Sequence, residues 1–205
     1  MTEELAISRS KGYWGGPTQP YWHPGQNPTA DLLLFRRVSC EPDLLLIRRS
    51  LEARADPGRW AFPGGFVDTD APIGTPWEAG KESCDRAALR ELEEEGGLIL
   101  LPSACRRLIR IDIAGPGEDA RNNRDAWTVK NVFAVVAKMS ELKAKGCPEG
   151  SEAVPQPGDD ADRVHWTPLS EALGMSLAFD HSRILKKACA QLGLADGISL
   201  DWAGP

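Results

Sequence analysis

Two short apolar runs, each closed by a pair of arginines, set the pattern of the first half of the chain. Leu32–Phe35 leads into Arg36-Arg37, and Leu44–Ile47 leads into Arg48-Arg49, with Glu41-Pro42-Asp43 between them as a turn signal. Runs of this length, continuous rather than alternating, predict two strands with buried centres paired as a hairpin. Asp56-Pro57-Gly58 predicts a turn, and Trp60–Phe62 a short strand running into Pro63-Gly64-Gly65. From Ala87 the period changes. Ala87, Ala88, Leu89 and Leu92 form an apolar stripe at helical spacing, with Gly97 placed to end the helix in a left-handed conformation.

The second half returns to strands. Leu98–Leu101 and the alternating stretch Arg106–Ile113 read as two of them, and Trp127–Ala137, rich in β-branched residues, as the best central strand. Met139–Lys145 predicts a short helix and Val164–Trp166 a short strand. Thr167-Pro168 predicts a helical turn with proline at its first position, and Ala178–Leu192 a closing helix. Gly115–Asp125 and Gly146–Asp160 read as loops. Strands interleaved with helices predict an α/β fold, a mixed sheet with helices on both faces. Residues 1–28 differ. They are crowded with Gly and Pro, so an irregular arm is expected, yet they carry Tyr13, Trp14, Tyr21 and Trp22. Four aromatics predict an arm that packs on something: its own core, a lip over a site, or a second subunit.

At 205 residues, 41% hydrophobic and 26% charged, the chain fits one domain of ordinary size. It has no apolar run long enough to cross a bilayer and no signal-peptide pattern in its first thirty residues, so no membrane partner is expected. A formal net charge of −6 gives no electrostatic case for duplex nucleic acid, and no nucleic-acid partner is expected. Five cysteines are widely spaced without a C-x-x-C pair, which points away from a disulfide scaffold or zinc site and toward a cytoplasmic location.

The candidate chemistry lies on the predicted helix. Glu91 shares a helix face with both Glu94 and Glu95, an arrangement that costs a bare helix a few tenths of a kcal/mol per pair. A hard divalent cation held by carboxylate oxygens would offset that cost. Gly64-Gly65 just upstream allows close approach of backbone to an ion or ligand.

In Glu82, then seven residues, then Arg90-Glu91-Leu92-Glu93-Glu94-Glu95-Gly96-Gly97-Leu98, the chain resembles the Nudix box of the Nudix hydrolase family. The helical half matches at every defined position. The front half departs, because Pro76 stands where the box has glycine. Gly65 is the sensible equivalent, separated from Glu82 by an insert around Thr69–Ala79. The resemblance implies a Nudix α/β/α sandwich, with the domain over residues 29–205 following the arm at 1–28. It implies Mg²⁺, with Mn²⁺ as a substitute, held by Glu91, Glu95, Glu94 and the carbonyl of Gly65. It implies that Arg90 orients a box carboxylate, and that the base activating water is a box glutamate (Glu95 or Glu94) or an acid on a later loop, Asp159 or Asp160.

The stretch GEDARNNRDAWTVKNVF, with PGDDADRVHWTPL and LAFDHSRIL after it, is similar to the ADP-ribose pyrophosphatase-like branch of that family, with Ala120 in place of a usual proline. That likeness implies hydrolysis of ADP-ribose to AMP and ribose 5-phosphate. Arg121, Asn122, Arg124 and Asp125 are then expected at the substrate, with Arg49 and Phe66. His181 reads as a helix-start residue, since no carboxylate partner for it is visible in the sequence. The alternatives are another nucleotide substrate (NADH, a nucleotide sugar or a modified dNTP) or a sensor that binds ADP-ribose without turnover. The intact acidic set argues against the sensor. A homodimer is expected by analogy with relatives alone.

Overall fold

The computed structural model describes residues 21–37, 41–111, 122, 125–148, 151–158 and 160–194. Its first strand, β1 (Gly25–Arg37), is the axis of the sheet. It runs parallel to β7 (Ala126–Ala137) from Gly25↔Ala126 to Arg36↔Ala137, and antiparallel to β2 (Pro42–Arg49) and β4 (Gly64–Phe66). The strand β3 (Trp60–Ala61) and the strand β9 (Ala161–Pro168) both pair with β2, and β6 (Ile109–Ile111) pairs with β7. The result is a mixed sheet of seven strands among the described residues.

Alternation along the strands decides the layers. Leu32, Leu34, Leu45, Phe133 and Val135 face one way, onto Ala87, Ala88 and Leu92 of helix α1 (Cys84–Gly96). Leu33, Phe35, Leu44, Leu46 and Ala134 face the other way, onto Ile184, Leu185 and Ala188 of the last helix (His181–Gln191). A sheet covered on both faces needs strands that are apolar on both sides, which is why these runs are continuous. The architecture is therefore the expected α/β/α sandwich with a mixed sheet. Leu92 is fully buried under the sheet, so Leu92→Ala is expected to destabilise the protein by about 2–5 kcal/mol in urea unfolding.

The chain order is completed by β5 (Leu98–Leu100), the helical turn α2 (Pro102–Cys105), a 3₁₀ turn at Met139–Glu141, β8 (Leu142–Ala144), and the short helix α3 (Leu169–Gly174) before α4 (His181–Gln191). Gly97 takes φ 65°, as its position predicted. Several elements differ from the sequence reading, and Thr167-Pro168, expected to open a helical turn, instead ends β9 with Pro168 capping α3. The helix expected over Met139–Lys145 is one 3₁₀ turn followed by β8, because Leu142 and Ala144 are buried and pair with Leu100 and Leu98. Of the strand expected over Arg106–Ile113, Ile109–Ile111 is strand and Arg106–Leu108 is not, while 112 and 113 lie outside the described residues. Arg107 leaves the sheet to make a paired contact with Glu141, at 2.9 and 2.6 Å. The irregular arm ends sooner than expected, because parallel pairing with β7 draws Gly25–Pro28 into β1 despite its turn-forming residues. Among the described residues no helix is long and apolar enough to cross a membrane.

Candidate functional site

The end of α1 nearest β4 carries the acidic residues. Glu91 and Glu95 lie on the buried side of the helix, four positions apart and next to Leu92, so the packing that seats Leu92 also carries both carboxylates inward. The segment Pro63-Gly64-Gly65, where the turn enters β4, passes directly over them. The Gly64 N–H donates to Glu95 Oε2 at 2.9 Å, and a Cβ at Gly65 would collide with the Glu91 carboxylate. With Glu91 held where Arg90 places it, any side chain at Gly65 would displace that carboxylate.

Arg90 organises the cluster. Its Nε and Nη2 donate to Glu82 at 2.9 and 3.1 Å, and its Nη1 to Glu91 at 2.7 Å and Glu94 at 2.9 Å. A further bond from Nη2 reaches the Phe66 carbonyl at 3.0 Å, which ties α1 to β4. The hydrogen bond from Arg90 holds the Glu82 carboxyl below its ordinary range, and the same bond raises the Arg90 pKa further. Glu91 and Glu95 behave in the opposite way. Burial pushes Glu91 up to about 7 against the pull of Arg90, and neighbouring Glu94 and Asp31 add to the rise. Burial likewise pushes Glu95 up to about 8, with Glu91 and Asp160 adding to it, while the Gly64 N–H and Arg49 oppose.

Arg90, Glu91 and Glu95 line one cavity of about 770 Å³. Of the residues expected at the site, Arg49, Gly65, Phe66, Arg90, Glu91, Glu95 and Asp160 all lie on its wall. Glu94 stands beside it, held by Arg90. Arg121, Arg124 and Asp159 lie outside the described residues. Asn122 takes a different place: its Oδ1 accepts from the Tyr21 hydroxyl at 2.5 Å and from the Thr128 N–H at 2.9 Å. Asp125 is exposed, and its carbonyl accepts from the Gly25 N–H at 2.7 Å, at the start of the β1–β7 pairing. Neither Asn122 nor Asp125 lines the cavity.

Several wall residues went unmarked in the sequence. Asp31, on β1, sits beside the turn. Lys130, on β7, makes a close ion pair with Asp180, which Arg183 also contacts at 2.7 Å. Phe179 holds φ 51°, fastened by a 2.6 Å bond from its N–H to Asp56, and the Arg49 guanidinium lies over its ring at 4.9 Å. Backbone strain in a bulky residue at a cavity wall is a recurrent mark of a functional surface. His181 completes this side, with its Nε2 3.7 Å from Asp31 Oδ1. The carboxylate partner that the sequence did not display comes from a strand 150 positions away.

Tyr21 and Trp22 are the aromatics of the expected arm that lie among the described residues. Tyr21 is fully buried, with its ring edge-on to Phe66 at 6.2 Å, and Trp22 lines the cavity. The insert folds back on this segment. Gly74 N–H donates to the Trp22 carbonyl at 3.0 Å, and His23 Nδ1 donates to the Thr75 carbonyl at 2.8 Å. Tyr13 and Trp14 lie outside the described residues.

Among the described residues no three His, Cys, Asp or Glu side chains converge as a cation cage. Arg90 draws Glu82, Glu91 and Glu94 to its guanidinium instead. The donors nevertheless fit a hard divalent ion. They are carboxylate oxygens of two buried glutamates, beside a glycine with no Cβ to block approach.

A family model described as the NUDIX domain matches residues 26–188. The ADPR responsive transcriptional repressor NtrR of Acinetobacter baylyi is 26% identical over 170 residues, which is 83% of this chain and 56% of the repressor. The chain thus spans little more than half the length of that curated relative. The NUDIX domain of Shewanella oneidensis NrtR, solved with ADP ribose, superposes with a TM-score of 0.57 at 24% identity, covering 94% of this chain and 99% of that one. The same organism's NrtR in complex with a 27mer DNA gives a TM-score of 0.52 at 25% identity, over 80% of this chain and 61% of that one. These relatives overturn the expectation that nucleic acid is excluded as a partner: one is a transcriptional repressor and another is solved on DNA. The expectation rested on whole-chain charge, which reports a mean, whereas DNA contact depends on where the cations sit.

Proposed function

This chain belongs to the NUDIX domain family, and from that premise we propose that it hydrolyses the diphosphate linkage of a nucleoside diphosphate derivative, with ADP-ribose, giving AMP and ribose 5-phosphate, as the foremost substrate. The observation that carries the reading is the meeting of Glu91, Glu95 and Asp160 with Arg49, Arg90 and Lys130 on one cavity wall of nucleotide size. Carboxylates recruit the cation, Arg90 holds them in place, and Arg49 suits the phosphates.

Glu91, Glu95 and the Gly65 carbonyl, with Glu94 beside them, would hold Mg²⁺ or Mn²⁺. When bound, such an ion supplies Lewis acidity to phosphoryl oxygens and lowers the pKa of a water. Arg90 keeps Glu82, Glu91 and Glu94 in register, and the Gly64 amide keeps Glu95 in place. Glu95 or Asp160 accepts the proton of the attacking water. Arg49 faces the charge that develops on the departing phosphate. Phe66 and Trp22 offer aromatic surface to the nucleoside. Arg121 and Arg124 remain assigned to phosphate on the sequence likeness alone.

A second reading is favoured by the repressor relatives: the same cavity binds ADP-ribose as a signal and does not turn it over. Turnover with Mg²⁺, read as nucleoside monophosphate formed from ADP-ribose, NADH, diadenosine polyphosphates, a nucleotide sugar and dNTPs, each with an EDTA control, separates the two. The enzyme reading expects ADP-ribose to lead in kcat/KM by about tenfold or more. Binding of ADP-ribose without turnover of anything on the panel would replace it with the regulator.

A further inference from the structure

We propose that His181 is a positioning residue for the acidic end of the cavity, acting through the Phe62–Gly64 turn to fix the amide that holds Glu95, with Asp31 setting the imidazole. The inference rests on the reading that Glu91 and Glu95 bind a divalent cation.

One buried amide of this segment has no strand partner. Pairing of β2 with β3 ends at Ile47↔Ala61, so the next N–H, that of Phe62, falls beyond the ladder. Phe62 is 1% exposed, which leaves that donor no access to water. It donates instead to His181 Nδ1 at 3.1 Å. An accepting Nδ1 places the proton of the neutral ring on Nε2. Nε2 faces Asp31 Oδ1 at 3.7 Å, within ion-pair range though longer than a hydrogen bond.

The ring is held on every side. It stacks on Phe62 at 4.4 Å with 6° between planes, and Phe179 leans on it at 5.5 Å. Its backbone opens α4 directly after Asp180, which Lys130 and Arg183 pin. The turn is held at both ends of the contact. Ala178 N–H donates to the Trp60 carbonyl at 2.7 Å, and Leu32 N–H to the Pro63 carbonyl at 3.0 Å. Asp31 lies so close to Gly64 that a Cβ there would strike its carboxylate. Two residues beyond Phe62, the Gly64 N–H donates to Glu95 Oε2 at 2.9 Å. A helix on one face of the sheet therefore sets a carboxylate carried by a helix on the other face. Outer residues that orient ligands in this way typically change metal affinity by about 10- to 100-fold when removed.

The test uses the full chain with two readouts: Mn²⁺ affinity by titration calorimetry, and the Gly64 amide resonance and its exchange protection in metal-free protein. His181→Ala is expected to raise the Mn²⁺ Kd by about 10-fold or more and to shift and expose the Gly64 amide. His181→Asn returns an acceptor oxygen near the Nδ1 position and is expected to restore most of both. His181→Gln places its acceptor toward Asp31 and is expected to resemble the alanine variant. Should His181→Ala fail to fold, the contrast between Asn and Gln decides. Wild-type Mn²⁺ affinity with an unchanged Gly64 amide in His181→Ala, or in His181→Gln where alanine does not fold, overturns the proposal. If the wild-type protein itself binds no Mn²⁺, the cation reading fails, and the Gly64 amide still reports whether His181 positions the turn.

Discussion

Glu95→Gln is expected to lower kcat/KM on the preferred substrate by about 10²- to 10⁴-fold, the range for removing a group that takes a proton or holds the activating ion. The substitution is close to isosteric, and the glutamine oxygen can still accept the 2.9 Å bond from the Gly64 amide. Folding should survive, so the loss can be read as chemistry. The same variant should gain stability in metal-free protein at alkaline pH, because a neutral amide avoids the burial cost that pushes the Glu95 pKa up to about 8. Steady-state kinetics and a thermal melt on one preparation check both halves. Hydrolysis at the wild-type rate would remove Glu95 from the site.

The second large effect concerns pH and the cation together. Glu91 and Glu95 have folded pKa values of about 7 and about 8, above the ordinary 4.5, with burial as the leading cause. Between the ordinary value and these raised ones, the folded protein retains protons that the unfolded chain has released. Stability therefore falls as pH rises through that window. Metal-free protein is expected to lose several kcal/mol from these two groups between about pH 5 and about pH 8.5. Saturating Mg²⁺ or Mn²⁺ favours the charged carboxylates, so it should restore the loss at the alkaline end and do little at the acid end. Melting temperatures across pH, with the ion and with EDTA, give the comparison. Parallel curves, with and without the ion, would mean that these carboxylates are not its ligands. Glu82 does not contribute in this window, since Arg90 moves its pKa in the other direction.

The sequence by itself determined the sandwich and the acidic centre. The apolar runs of β1, β2 and β7 could be placed only in a sheet covered on both faces, and the stripe through Ala88 and Leu92 fixed which side of α1 is buried. Once that side is known, Glu91 and Glu95 must point inward, because helical geometry carries them with Leu92. The Gly64-Gly65 turn was legible as a close approach, and Gly65 could be chosen over Pro76 on residue type alone.

Only the tertiary structure decided what surrounds that centre. Asp31, Lys130, Phe179 and His181 belong to three stretches that meet because β1 pairs in parallel with β7 over its whole length while α4 packs behind both. No local pattern encodes such a meeting: each residue reads alone as a strand end, a solvated charge or a helix start. The same long-range pairing turned the Gly/Pro-rich Gly25–Pro28 into strand, where local turn preference pointed to an irregular arm. Asn122, expected at the substrate, has its side-chain oxygen on Tyr21 and Thr128, and Asp125 gives its backbone carbonyl to Gly25, contacts that depend on how β1 and β7 pair. Local periodicity fixes faces and therefore burial, whereas the composition of a site depends on contacts between residues far apart in the chain. Those contacts are set by sheet pairing and packing, which no single stretch specifies.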